Sequence, residues 1–190
     1  MEEFWKILRQ SSPVIFLCVF GELIAGIALV SSEKYLEIIP GLLILLPSVL
    51  SLRGNISSAL GSRLGSAIHL GLIDSEVHMN TFRNPLIIQN VYASLTLNLV
   101  MSFVAGIAAY YVSIAIGVSK VSIIVLTSIS VIAGVLSGLM LTFLTIYLAV
   151  YTSAKGLDPD NVLTPAVATV GDIFTVLFLL LSAKLVLAFI

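Results

Sequence analysis

Asp172 is a lone carboxylate about nine residues into the closing apolar run TPAVATVGDIFTVLFLLLSAKLVLAFI. At ~1.5 Å per residue it would lie roughly 13 Å deep in a hydrocarbon core about 30 Å thick. A charge at that depth is costly unless it meets water, a partner or an ion, so acids within membrane spans mark ion pathways or interhelical bonds. Thr164, Ala168 and Asp172 recur at i, i+4 and i+8 and share one helical face, with Thr169 flanking Asp172 at i−3. The neighbouring Ile173, Phe174, Val176, Leu177 and Phe178 are bulky and apolar. A narrow, small and polar stripe on such a helix suits the wall of an aqueous path. The competing reading is an acid bonded to a neighbouring helix, with Arg53 as its partner.

A second set lies in LPSVLSLRGN. Pro47 frees backbone carbonyls, Gly54 lets a backbone approach closely and Asn55 adds a neutral oxygen. Oxygen-rich, charge-poor surroundings suit a hard cation that keeps its water, as Mg²⁺ does. A third set is acidic. Glu22 interrupts the first apolar run and reads equally as a second ion site or a structural bond, while Glu33 and Glu37 would sit at a mouth or on a solvated rim. His69, Asp74, Glu76 and His78 read as a solvated stretch, since their spacing fits no soft-metal site.

The elements that must hold these groups are membrane helices. Of the 190 residues, 59% are hydrophobic and 10% charged, against about 25% charged in ordinary soluble domains. The apolar runs are too long, and too free of alternation, for barrel strands. Five spans are expected at about 13–31, 36–60, 86–117, 121–151 and 163–189. The second is expected to be kinked or broken at Pro40 and Pro47, and Pro165 to open the fifth behind the turn DPDNV. Phe4, Trp5, Ile7 and Leu8 suit a short interfacial helix before a retained first span. Cys18 is expected to face lipid or a helix as a small hydrophobe.

Lys6, Arg9, Arg63, Arg83 and Lys155 fall on one side and Lys34 and Lys120 on the other, which favours a cytoplasmic N-terminus and an outside C-terminus with Lys184 snorkelling. Gly54, Gly61, Gly65, Gly134 and Gly138 permit close helix approach. One five-helix unit is small for enclosing a polar path, so a homo-oligomer with the path near its axis is expected. The net charge of −1 and the absence of a basic cluster give no reason to expect nucleic acid. No Walker loop, zincin motif or nucleophile elbow occurs. An intramembrane aspartyl protease is excluded too, because Thr169 stands two before Gly171 and no second intramembrane Asp exists. The chain is not expected to be an enzyme.

Two long segments resemble a known family. PSVLSLRGNISSALGSRLGSAIHLG is similar to the first signature, and DPDNVLTPAVATVGDIFTVLF to the second, of the MgtE and solute carrier family 41 magnesium transporters. The resemblance implies one all-α membrane domain over residues 1–190, with five transmembrane helices, working as a homodimer whose ion path runs between spans two and five. It implies that Asp172 is the main Mg²⁺ site, acting largely through the ion's water shell. Thr164 and the backbone around Ala168 would line it, and Pro47, Gly54 and Asn55 match the first signature. Thr164 and Arg53 depart from bacterial channels, which often carry Asn and Gly there, and Arg53 is closer to the solute carriers. A single copy without cytoplasmic sensor domains, in a prokaryotic-type plasma membrane, is the expected form.

The expectation is thus a transporter or channel for largely hydrated Mg²⁺. The alternatives are exchange against Na⁺ or H⁺ with Glu22 as the coupling acid, transport of another divalent ion such as Co²⁺ or Mn²⁺, or a non-transporting membrane subunit.

Overall fold

The computed structural model describes residues 1–74, 81–118 and 122–189. Glu76, His78 and Lys120 lie outside the described residues. Six α-helices follow one another among those described: α1 (Glu2–Val30), α2 (Glu33–Ile38), α3 (Gly41–His69), α4 (Pro85–Ala115), α5 (Ile123–Ala154) and α6 (Pro159–Ala188), with a 3-10 turn at Thr81–Arg83. Five are long and apolar enough to cross a membrane, as expected: α1, α3, α4, α5 and α6. Local chemistry sets several ends. Asn84 and Ser122 cap α4 and α5 by accepting from the backbone N–H of Leu86 and Ile124, and Pro85 opens α4 where its missing donor costs nothing.

Helices α3, α4, α5 and α6 form the body. α3 and α5 share the diagonal, each touching the other three, while α1 packs chiefly on α6. Two apolar clusters fill this body at different depths. One joins Leu42, Leu45 and Val49 of α3 to Ala105, Leu126, Ile129 and Leu179. The other joins Leu60 and Leu64 of α3 to Ile87, Leu141, Ile146 and Leu163. The first cluster takes the start of α3 and α5 with the end of α4 and α6, and the second the reverse, so successive spans run antiparallel. Between them lies a polar layer: Arg53, Ser57, Asn98, Ser102 and Ser137 are all buried.

Aromatic residues mark the two rims. On α4, Tyr92 and Tyr111 are exposed and stand nineteen residues apart, ~28 Å, close to the thickness of a hydrocarbon core. The exposed faces of α1 and α4 carry Phe16, Leu17, Phe20, Ile24, Leu97, Val100 and Phe103, as lipid demands.

Four expectations need correction. The second span breaks at Pro40 as expected, where Ile39 and Pro40 separate α3 from the short α2, but it does not break at Pro47, through which α3 continues as helix. Pro47 sits in the second turn, where it forfeits a single bond to the carbonyl four residues back. The second span also reaches His69 rather than residue 60, because Ser57, Leu60, Gly61, Leu64 and Ile68 continue its buried face. No separate interfacial helix precedes the first span, since α1 continues from Glu2 through Pro13. Helix α6 begins at Pro159, not Pro165, with proline at the first helical position.

Close packing supplies a stability test. A Cβ added at Gly138 would sit 2.6 Å from Asn98 Cγ, whereas one at Gly26 meets nothing within 4 Å. Gly138→Val is expected to destabilise by about 1–3 kcal/mol, ~2–4 °C per kcal/mol, while Gly26→Ala changes little. Thermal unfolding in detergent reads both.

Candidate functional site

The second span inverts the usual arrangement of a membrane helix. From Pro47 onward, the exposed residues of α3 are Pro47, Ser48, Ser51, Asn55, Ala59, Ser62, Arg63, Ser66 and His69, with no large apolar side chain among them. Their three- and four-residue spacing makes a continuous stripe. The opposite face is apolar and buried, except for Arg53 and Ser57. A stripe of hydroxyls and an amide cannot rest against lipid tails, so this face meets water or protein.

Arg53 fixes which way α3 turns. Its guanidinium, 2% exposed, points into the bundle and donates to Gly134 O at 2.6 Å, to Ser102 Oγ at 3.2 Å and to Ser137 Oγ. Ser137 in turn donates to Ala133 O, and Ser130 donates to Ser102 O at 2.6 Å. Small residues make room: a Cβ on Gly134 would meet Ser102 and lie 3.0 Å from the guanidinium. Arg53 therefore binds neither Asp172 nor any other acid, contrary to the competing reading. Its partners are a carbonyl and two hydroxyls, and its Nε has none. Three charge-assisted bonds, worth about 1.5–3 kcal/mol each, offset a desolvation cost of several kcal/mol.

Asp172 occupies the same layer. On α6, Leu163 and Val167 belong to one apolar cluster and Val176 and Leu179 to the other, with Asp172 between them. It stands eleven residues from Asn161, ~16 Å into the span. Leu163 is the neighbour a Cβ on Gly61 would meet, at 2.5 Å. Counting nine residues from each, ~13 Å along antiparallel helices, puts Asp172 level with the Leu52–Ile56 turn that holds Gly54 and Asn55. Asp172, Thr164 and Ala168 are all half-buried, consistent with their shared face.

The remaining candidates divide. Asn55 is exposed on the α3 stripe, and Gly54 has open space where a Cβ would lie, so Gly54 does not serve helix packing as Gly61, Gly134 and Gly138 do. Thr169 is buried with its methyl against Gly21 of α1. Glu22, the next residue, is exposed and within electrostatic reach of Asp172. Glu33 and Glu37 are exposed on α2, away from this layer. Cys18 faces a helix, donating to Pro165 O at 3.3 Å. Among the described residues no three His, Cys, Asp or Glu side chains come together. An ion at Asp172 would therefore meet few charges in one chain and keep most of its water. The α3 stripe and the Arg53 node were not anticipated; the stripe is legible in the four-residue recurrence Ser51, Asn55, Ala59 once the buried side is known.

These features define an all-α, multi-pass membrane protein with polar groups held at mid-depth. Residues 46–182 match the MgtE family, described as a divalent cation transporter, and the chain belongs to that family. Over 92% of its length it is 31% identical to solute carrier family 41 member 2 of Mus musculus and 30% identical to that of Homo sapiens, covering 32% of each. It is 28% identical to solute carrier family 41 member 3 of Rattus norvegicus, over 92% of this chain and 38% of that protein. The chain spans about a third of the length of these curated relatives. The resemblance seen in the two sequence segments holds at the level of the family.

The Arg53 node can be tested by stability. Arg53→Ala, which leaves a cavity among three orphaned acceptors, is expected to cost about 3 kcal/mol. Arg53→Met keeps the volume and removes a buried charge, so it should cost less than half as much. Equal losses in thermal unfolding would mean that the guanidinium's bonds contribute more to net stability than its volume does.

Proposed function

We propose that the chain moves Mg²⁺, largely hydrated, across a plasma membrane. The observation that carries this reading is the outward polar stripe of α3 at the depth of Asp172, in a chain of the MgtE family. Two copies would set their α3 and α6 faces together, cover the stripes, and bring two Asp172 carboxylates to one divalent ion. Thr164, the backbone at Ala168, Gly54 and Asn55 would offer neutral oxygens to the ion's water, and Thr169 would steady Asp172 against α1. With the N-terminus cytoplasmic and the C-terminus outside, an ion of charge +2 gains ~4.6 kcal/mol per 100 mV on entry, enough to drive uptake without a second ion.

A second reading is exchange against Na⁺ or H⁺. It is favoured by Glu22, a second carboxylate within electrostatic reach of Asp172. Oxygen ligands throughout argue against selectivity for soft metals, though Co²⁺ or Mn²⁺ could share the path.

Asp172→Asn keeps the shape and removes the charge. In proteoliposomes loaded with a Mg²⁺ indicator, flux should fall at least ~tenfold, the equivalent of losing ~1.4 kcal/mol of attraction. Undiminished flux from a folded variant would remove Asp172 from the pathway. In the same vesicles, a current that reverses at the Mg²⁺ equilibrium potential whatever the Na⁺ or H⁺ gradient supports a channel, and one that shifts with either gradient supports exchange. For the assembly, Thr164→Cys in a Cys18→Ser background should crosslink between chains on oxidation. Purely monomeric product would contradict a path at the dimer axis.

A further inference from the structure

Helix α1 begins about two turns before α6 does. Asn161 Nδ2, in the first turn of α6, donates to Gln10 Oε1 of α1 at 3.2 Å. Residues before Gln10 therefore project past α6 and lie beside the turn that joins α5 to α6. The face that α1 presents to α6 through Cys18 and Gly21 is continued at helical spacing by Val14 and Gln10, with Lys6, Arg9 and Pro13 on the flank beside it. Beyond the first turn of α6 that flank, with Lys6 and Arg9 exposed on it, is left open.

The result is an open groove of about 660 Å³. Pro13 and Val14 of α1, with Leu157 and Val162 opposite, supply an apolar wall, and Lys6 and Arg9 stand one turn apart on the same face of α1. Trp5, 60% exposed and edge-on to Phe4 at 5.3 Å, also lines the groove, and it is a residue type that favours the headgroup level. Asp158 lies in an adjoining recess that Lys6 shares with His69, whereas Arg9 lines the groove and not that recess.

We propose that this groove holds an anionic phospholipid, its phosphodiester on Arg9 and Lys6 and an acyl chain along Pro13, Val14, Leu157 and Val162. The two halves of the groove select the class. A free phosphate would use the charges and leave the apolar wall wet. A phosphatidylcholine would fill the wall and bring its own ammonium group against two cations. An anionic lipid satisfies both, and the Arg9 guanidinium can take a phosphate oxygen pair in fork geometry. Bound there, the lipid would brace α1, which is otherwise held chiefly by α6.

The test is thermal unfolding of the full chain in nanodiscs of phosphatidylcholine, with or without phosphatidylglycerol of the same acyl chains. Phosphatidylglycerol is expected to raise the midpoint by about 5 °C. The shift should vanish in the double variant Lys6→Gln/Arg9→Gln and in Val14→Trp, which fills the groove, and should persist in Lys155→Gln, a cation outside it. Any of three results would overturn the proposal: equal stabilisation by both lipids, loss of the shift in Lys155→Gln as well, or the same shift from inorganic phosphate in detergent.

Discussion

The rotation of α3 about its own axis is fixed by one buried cation, and the outward polar face follows from it. Arg53 reaches across the diagonal of the bundle to Gly134 and Ser137 of α5 and Ser102 of α4. Because the guanidinium has to face these acceptors, the residues about half a turn away must face outward, and those are Ser48, Ser51 and Asn55. A hydrophobe at the same position would fill the space without specifying which carbonyl it met. The directional bonds of an arginine hold one orientation, and glycine at 134 opens the room they need.

The same constraint separates two charges of opposite sign. Arg53 and Asp172 share one polar layer between the apolar clusters, yet Arg53 is sealed on the α4–α5 side and Asp172 is half-open on α6. Neither neutralises the other by direct contact. On the proposed reading the carboxylate would stay available to an ion that keeps its water, and the guanidinium would stay off the surface along which that ion moved. Oxygen-rich, carboxylate-poor surroundings suit Mg²⁺, whose reluctance to dehydrate makes recognition through water sufficient.

Much of this was legible in the sequence, for identifiable reasons. Five spans follow from long apolar runs, because lipid leaves a spanning backbone few choices. The Thr164, Ala168 and Asp172 face follows from helical period alone, and the structure keeps all three half-buried together. Prolines misled. Pro47 and Pro165 both lie within continuous helices, since the packing of a membrane bundle compensates the bond and the ring clash that each costs. Arg53 was the least legible. An arginine beside an apolar run reads as an acid's partner, and only the tertiary arrangement reveals acceptors on two other helices. Gly54 shows the same limit: its spacing with Gly61 suggests a packing face, but it lies toward the open side of α3.

If the outward face of α3 borders an aqueous path, its side chains must be wet at mid-membrane depth. The direct measurement places single cysteines at Ser51, Asn55 and, as a lipid-facing control, Phe103, in a Cys18→Ser background, and follows labelling by a membrane-impermeant methanethiosulfonate in reconstituted protein. Positions 51 and 55 should react, more slowly when Mg²⁺ is present, while position 103 stays inert. If 51 and 55 are as unreactive as 103 in a folded protein, the stripe is a dry helix contact and the pathway lies elsewhere.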